Sequence, residues 1–381
     1  MSSPKRHILF LATEYDAPGM RPYAANIINA LWQDGDHVLV VTRYGADANA
    51  FPGIPADAVT WVDYPTSKVS KALFRFWPAG VLKAIRRLIP SHGIDLIYSL
   101  TGELVLAHHV KRLQRRVPVL YTVHDAIYHD YKFSNPLRWL KDRLIIAWPQ
   151  QRLFNLTPHK VTNSHEQLRY IRERWPQHES HYAPFPSLVN QEIASGQDTV
   201  PELSDVASGY ILFFGTLHLY KGVHLLYDAY LSHPELRNRP LVIAGTQDIY
   251  FPRRDDENGV TFINRFIQDT EVRDLFTRAA VVIYPYISAT QSGVTSIASY
   301  FDRPMVLSDL PFFKQSCEGC EGIEFFATGD REALADAIRR SLQSPGSTRS
   351  LYDSHYTTAA LQTALYDIMN DVIKQQQKTN V

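Results

Sequence analysis

Cysteine is nearly missing from this chain of 381 residues: there are two, Cys317 and Cys320. Two thiols build no disulfide framework, and their C-x-x-C spacing has no partner pair to complete a zinc site. The pair falls in a polar stretch after Pro311 and does not open a helix behind a first strand, so no thioredoxin-like redox centre is read there. Long apolar runs are missing too. None reaches the roughly 18–20 residues that a membrane-spanning helix requires. The first seven residues lead into a short apolar run followed by acidic residues, with no small-residue cleavage site, so no signal peptide is expected. Low-complexity tracts and repeats of solenoid period are absent. No G-x-G-x-x-G follows the first apolar run, which argues against a dehydrogenase. Formal net charge is zero, with 39 Lys+Arg against 39 Asp+Glu, and no nucleic-acid partner is expected. Together these absences point to a reducing, cytoplasmic setting.

What is present is the composition of a globular protein, 45% hydrophobic and 20% charged, at a length suited to two domains. Short apolar runs alternate with longer helical patterns, the signature of βα units and parallel sheets. Strands are expected at 7–12, 38–41, 95–98, 117–123 and 160–162, with a helix at 23–33. A polar stretch at 190–201 reads as a linker, after which the pattern restarts. Strands follow at 210–214, 240–244, 260–262, 281–284 and 305–307, and helices at 223–231, 269–277, 293–301, 331–342 and 357–375. The expected division is 1–190, 191–356, and a closing helix within 357–381 that returns to the first domain. The zero net charge hides an asymmetry: residues 1–190 hold 23 Lys+Arg against 15 Asp+Glu, leaving 16 against 24 for the rest. A basic half suits an anionic acceptor or an anionic membrane surface.

Two segments carry chemistry. Gly215-Thr216-Leu-His-Leu-Tyr-Lys221-Gly222 leaves a strand and enters a helix, so a glycine lets a ligand approach the backbone and a lysine can meet a diphosphate. Tyr284-Pro-Tyr-Ile-Ser-Ala-Thr-Gln-Ser-Gly-Val294 offers hydroxyls and unsatisfied N–H groups where the next helix begins, with Thr290 or Ser292 as its cap. Strand-ending Gly245 and the 260–266 segment lie between them.

In this order and spacing the segments resemble the donor-binding half of glycosyltransferase family 4. The first half resembles that family as well, through the loop holding Gly19, the strand DGDHVLVVT, and the runs IDLIYS and VPVLYTVHD. The resemblance implies a GT-B fold, two Rossmann-like α/β domains facing across a cleft. It also implies retaining transfer of a sugar from a UDP- or GDP-linked donor. Lys221 would bind the donor diphosphate, and the N–H groups of Ser292, Gly293 and Val294 the distal phosphate. Gly19, Gly215, Thr216 and Gly245 would line the donor, the backbone near Phe266 would meet the base, and His124 would contact the transferred sugar. The family's two glutamates are replaced by Ala289 and Ile297, which leaves Thr290 or Gln291 to supply sugar contacts. No carboxylate nucleophile stands in the motifs and Asp125 is the one nearby acid, so a front-face transfer is expected, with Lys221 and His124 as the catalytic pair. No metal is expected. Asp255-Asp256 reads as a solvated loop.

The acceptor would be a glycan or a lipid-linked glycan. Residues 67–90 mix Lys68, Lys71, Arg75, Lys83, Arg86 and Arg87 with Phe74, Phe76, Trp77 and Leu82, a composition that suits either an anionic membrane or a helix pair packed on the first domain; residues 133–148 raise the same question. Two other readings stay open. A nucleotide-sugar epimerase or hydrolase would use the same cleft, and a silent nucleotide-sugar-binding or scaffold protein would explain the replaced glutamates.

Overall fold

The computed structural model describes residues 6–14, 20–32, 35–43, 51, 53–126, 143–289, 292–317 and 319–379. It divides into two compact units, Met1–Pro186 with Thr358–Val381, and Ser187–Thr357. In the first, the chain runs β1 (Ile8–Ala12), α1 (Met20–Leu31), β2 (Val38–Arg43), β3 (Val59–Asp63), α2 (Lys68–Phe76), α3 (Ala79–His92), β4 (Leu96–Ser99), α4 (Val110–Leu113), β5 (Val119–Val123), α5 (Trp148–Leu156), β6 (His159–Thr162), α6 (His165–Arg174) and β7 (Glu179–Tyr182). All seven strands are parallel, in the order β3-β2-β1-β4-β5-β6-β7, and Leu9 lies opposite both Val38 and Ile97. Side chains alternate across a strand. Leu9 and Leu11 therefore enter a core shared with α3, α5 and α6, while Ile8, Phe10 and Ala12 enter another shared with α1. Both faces are covered, as in a doubly wound sheet.

The second unit contains α7 (Gln191–Ser195), β8 (Tyr210–Phe214), α8 (Val223–Ser232), β9 (Leu241–Gly245), β10 (Val260–Asn264), α9 (Asp269–Thr277), β11 (Ala279–Tyr284), α10 (Val294–Tyr300), β12 (Met305–Ser308), α11 (Pro311–Cys317), β13 (Ile323–Phe326), α12 (Arg331–Gln343) and α13 (Arg349–His355). Its parallel order, β10-β9-β8-β11-β12-β13, repeats the first pattern. The last helix, α14 (Thr358–Thr379), packs with the first unit: Leu365, Met369 and Val372 join the core beside α1, and the Arg6 guanidinium donates to Asn370 at 2.9 Å.

The chain changes unit at Pro186–Ser187, slightly before the polar stretch read as a linker. That stretch is folded into the second unit, where the Asn190 side chain caps α7 and donates to Asp269. Helix α1 starts at Met20, earlier than expected, since Pro22 sits in its first turn where no N–H is needed. Cys317 does not stand in a polar loop; it ends α11 and is fully buried in the second core, and burial pushes its thiol up. A thiol held that way is a poor nucleophile.

Candidate functional site

In an open parallel sheet, ligands bind where the strand order reverses, beyond the carboxyl ends of the strands. In the second unit that place is the end of β8 and β11, and both sequence segments lead out of it. Gly215 follows β8 with φ 146°, and a Cβ there would stand 3.0 Å from the Lys221 Nζ. Gly245, ending β9, lies so close beneath the Gly215 carbonyl that a Cβ would meet its oxygen at 1.8 Å. A tight turn, Leu219–Lys221, then ends on Gly222 with φ 66°, where a Cβ would reach the Pro285 oxygen at 1.9 Å. The same turn is tied to the loop after β11 because the Ile287 N–H donates to the Tyr220 carbonyl at 2.7 Å. These glycines let two loops and two strand ends close around one side chain.

That side chain is Lys221. It is 9% exposed, and its ammonium lies 5.1 Å from the centroid of the Tyr286 ring and 6.0 Å from that of Tyr220. Among the described residues no carboxylate pairs with it. Burial works against its charge, the Tyr286 and Tyr220 hydroxyls favour it, and on balance the ammonium holds its proton more firmly than an ordinary lysine. The Tyr286 hydroxyl is buried against the ammonium and helps to hold it. A buried charge without a counter-ion is costly, so the arrangement suits an anionic ligand.

Ser292, Gly293 and Val294 lead into α10, whose cap is Gly293 without a side-chain hydrogen bond, in place of the expected Thr290 or Ser292. The Tyr284 hydroxyl donates to the Val294 carbonyl at 3.2 Å, and the Tyr284 and Tyr286 rings are 5.9 Å apart, so this segment connects to the Lys221 surroundings through two tyrosines. Ala289 packs against the core and Ile297 is buried in it, so neither offers a polar group. Phe266 is exposed beyond β10, its carbonyl accepting from the Arg265 guanidinium at 3.1 Å. Thr216 follows Gly215, its carbonyl accepting from His218 N–H. Gly19, Thr290 and Gln291 lie outside the described residues.

The first unit has a reversal point of its own, between β1 and β4. Its occupant, Glu103, was not found by sequence reasoning. It follows Gly102 and takes a left-handed conformation, φ 35° and ψ 50°, unusual for a residue with a side chain. Its buried carboxylate accepts from the Thr101 N–H at 2.8 Å, the Thr101 hydroxyl at 2.6 Å, the Thr13 N–H at 3.3 Å and the Ser99 hydroxyl. Burial pushes its carboxyl up to about 7 even though these four donors pull the other way. The carboxylate thereby ties the end of β1 to the loop after β4.

His124, at the end of β5, lies edge-on to Tyr23 at 4.7 Å between centroids, and its Nε2–H donates to the Leu100 carbonyl at 2.7 Å. That bond leaves Nδ1 as the acceptor nitrogen of the neutral ring. Burial, only partly opposed by the Leu100 bond and Asp125, keeps the ring below its ordinary value. Gln167, buried in α6, donates to the His124 carbonyl at 2.8 Å and accepts from the Ala126 N–H at 2.6 Å, fixing the backbone on both sides of Asp125.

Residues 18–186 match the family model described as Glycosyl transferase 4-like domain, and residues 208–344 match Glycosyl transferases group 1. No curated protein sequence matches the chain. Among solved structures, the sucrose-phosphate synthase of Thermosynechococcus elongatus is 16% identical over 98% of this chain and 99% of its own, with a TM-score of 0.66. HepE of Anabaena in complex with UDP-glucose is 17% identical over 98% and 99%, with a TM-score of 0.63. A UDP-forming α,α-trehalose-phosphate synthase of Burkholderia vietnamiensis is 15% identical over 98% and 100%, with a TM-score of 0.63. At such identities the structural likeness is one of fold.

Proposed function

Because this chain is a glycosyltransferase of the GT-B fold, we propose that it moves a sugar from a nucleoside-diphosphate donor onto a glycan or lipid-linked glycan. The setting would be surface polysaccharide or glycolipid assembly, in the cytoplasm and peripheral on the inner face of the membrane. A uridine-linked donor is preferred over a guanosine-linked one, since the Anabaena HepE structures carry UDP and UDP-glucose. The observation that carries the donor reading is Lys221: a nine-tenths buried ammonium, unpaired with any carboxylate among the described residues, in a pocket of glycine backbone and tyrosine rings.

In this reading the donor diphosphate takes the place of the missing counter-ion. Lys221 and the N–H groups of Ser292, Gly293 and Val294 stabilise the charge that builds on the leaving diphosphate, which is the main catalytic contribution. Gly215, Thr216 and Gly245 shape the backbone the donor lies against, the chain near Phe266 meets the base, and Gly19, Thr290 and Gln291 complete the donor contacts. His124 presents Nδ1 to the transferred sugar. With no carboxylate placed as nucleophile, the acceptor attacks from the face the diphosphate leaves, and configuration is retained. Neutralisation rests on the ammonium and amides, without a metal.

Lys221→Met keeps an unbranched side chain one atom shorter and removes the charge. The variant is expected to fold with unchanged or raised melting temperature, because an unpaired buried charge is gone, and to lose the thermal shift given by uridine diphosphate. In the parent that shift corresponds to about 2.7 kcal/mol at a hundredfold excess over Kd. A full shift in the variant would remove the lysine from the donor site. A silent binding protein, the reading that Ala289 and Ile297 favour, would show the shift in the parent and no release of uridine diphosphate from UDP-sugars across an acceptor panel.

A further inference from the structure

We infer that the first unit carries a docking surface for an anionic phospholipid bilayer, built from α2, the turn before α4 and the start of α5. The inference rests on the transferase reading for its purpose, access to a lipid-linked acceptor, but not for its chemistry.

Ten large hydrophobic side chains are exposed among the described residues, and six belong to this one surface: Val69, Leu73, Phe76, Trp77, Leu144 and Trp148. The other four, Leu219, Tyr220, Phe266 and Ile287, stand on loops of the second unit around the donor residues. Ring contacts link the three aromatic ones through His108 and His109. Phe76 meets His108 at 5.4 Å between centroids, His108 meets Trp148 at 5.3 Å, and Trp77 meets His109 at 5.2 Å. His109 Nε2–H donates to the Phe76 carbonyl at 2.9 Å, and the Arg75 guanidinium to the Ile145 carbonyl at 3.4 Å, fastening the three segments together. The two helices of the 67–90 stretch behave differently. Helix α3 buries Val81, Leu82, Ala84, Ile85 and Leu88 as an ordinary packed helix, whereas α2 buries Phe74 alone and leaves its apolar side outward.

Basic residues prevail in the segments around this patch. Residues 64–94, 104–124 and 143–165 hold 13 Lys+Arg, of which Lys160 is buried, and no Asp or Glu. Beside Trp77 and His109, a cavity of about 110 Å³ is lined by Arg86, Arg112 and Arg116 over an apolar floor of Leu82 and Ile89. No carboxylate pairs with any of these three guanidinium groups among the described residues. Aromatic side chains beside guanidinium groups fit the boundary between acyl chains and headgroups, with the phosphate at the arginines and the rings at the acyl border. A protein partner of matching shape would have to supply many carboxylates; an anionic bilayer supplies its charge along the whole face. Arg75 also acts on half-buried Glu14 in the loop after β1, whose carboxyl is raised by burial and held back by that guanidinium.

The test uses the full chain and sedimentation with vesicles of phosphatidylcholine, alone or with phosphatidylglycerol. Binding is expected to the mixed vesicles only, and to weaken as salt rises from about 0.1 to 1 M. The triple variant Arg86→Gln, Arg112→Gln, Arg116→Gln is expected to lower partition about a hundredfold, at about fivefold for each cation. The triple variant Leu73→Ser, Phe76→Ser, Trp77→Ser changes only exposed side chains and is expected to lower it as well. Both should keep the thermal shift with uridine diphosphate, which certifies folding. Equal binding to neutral vesicles, or undiminished binding by the arginine variant, overturns the inference. So does stabilisation by inorganic phosphate in a chain that ignores vesicles, or a dimer that ignores vesicles and dissociates on serine substitution. Vesicle binding in a chain that shows no shift with uridine diphosphate would sink the donor reading and leave the surface standing.

Discussion

Glutamine in place of Glu103 separates the charge of this residue from its hydrogen bonds. In Glu103→Gln the amide oxygen can take the place of Oε1 and accept from the Thr13 N–H, the Thr101 N–H and the Thr101 hydroxyl. The amide nitrogen takes the place of Oε2 and donates to Ser99, whose hydroxyl only has to rotate. The contacts survive and titration is lost. In the parent, the folded carboxyl is raised from 4.5 to about 7. Below about pH 4.5 both folded and unfolded chains hold the proton and the residue costs nothing. Between about 4.5 and 7 the folded chain holds a proton the unfolded chain has lost, so stability falls as pH rises. Above about 7 both are ionised and the full penalty remains. At about 1.4 kcal/mol per pKa unit it amounts to about 3 kcal/mol. Glu103→Gln should therefore match the parent near pH 4.5 and exceed it by about 3 kcal/mol at pH 8. Urea unfolding followed by tryptophan fluorescence reads this directly, because all six tryptophans lie in the first unit. A difference that stays constant with pH, or a variant less stable at pH 8, would refute the assignment of a carboxyl kept protonated by burial.

Other expectations concern the second unit, where no tryptophan reports and circular dichroism is the suitable probe. Gly222→Ala combines a left-handed φ of 66° with a Cβ at 1.9 Å from the Pro285 oxygen; it should cost at least about 2 kcal/mol and abolish the uridine diphosphate shift. Gly215→Ala places its methyl group 3.0 Å from the Lys221 Nζ at φ 146°; a smaller loss of stability should accompany a clear loss of nucleotide affinity, and unchanged affinity would separate Gly215 from the donor pocket. Transfer activity should survive a chelator, as measured by release of nucleoside diphosphate with and without it; a loss restored by a divalent cation would overturn the metal-free mechanism.

Much of the architecture could be read from the sequence because interior parallel strands are continuous apolar runs. ILFLA, YILFF and AAVVIY are buried on both faces and announce themselves. The strands that escaped notice, Val59–Asp63, Glu179–Tyr182 and Ile323–Phe326, all lie at sheet edges, where one side meets solvent and sequences such as ESHY carry no apolar run. The glycines of the donor segment were legible from their place at strand and turn ends. Burial of Lys221 was not, because it depends on Gly215, Tyr220 and Tyr286 meeting from two loops. Tyr286 stood inside a segment already singled out, but nothing in the sequence marks its hydroxyl as buried against Lys221. Gly102 gave a turn signal next to Glu103, yet the four donors around that carboxylate come from Thr13, Ser99 and Thr101, two strands apart in the chain.

The two units share one strand order and place opposite chemistry at its reversal point. The first, in the basic half of the chain, holds a carboxyl there, pushed up to about 7 by burial and ringed by hydroxyl and N–H donors. The second, in the acidic half, holds an ammonium with no carboxylate beside it among the described residues. Local chemistry at each point therefore opposes the net charge of the sequence around it, so net charge does not describe the sites. The carboxyl of Glu103 is buried and taken up by internal donors, so its role is to hold the strand ends together, whereas an ammonium such as that of Lys221 suits a phosphate. The basic excess of the first half then needs a different cause. The segments from which the proposed surface is drawn supply one, since residues 64–94, 104–124 and 143–165 hold 13 Lys+Arg, of which Lys160 is buried, and no Asp or Glu. If those cations are removed without affecting vesicle binding, the surplus has no assigned role and charge asymmetry ceases to be an argument about where this enzyme works.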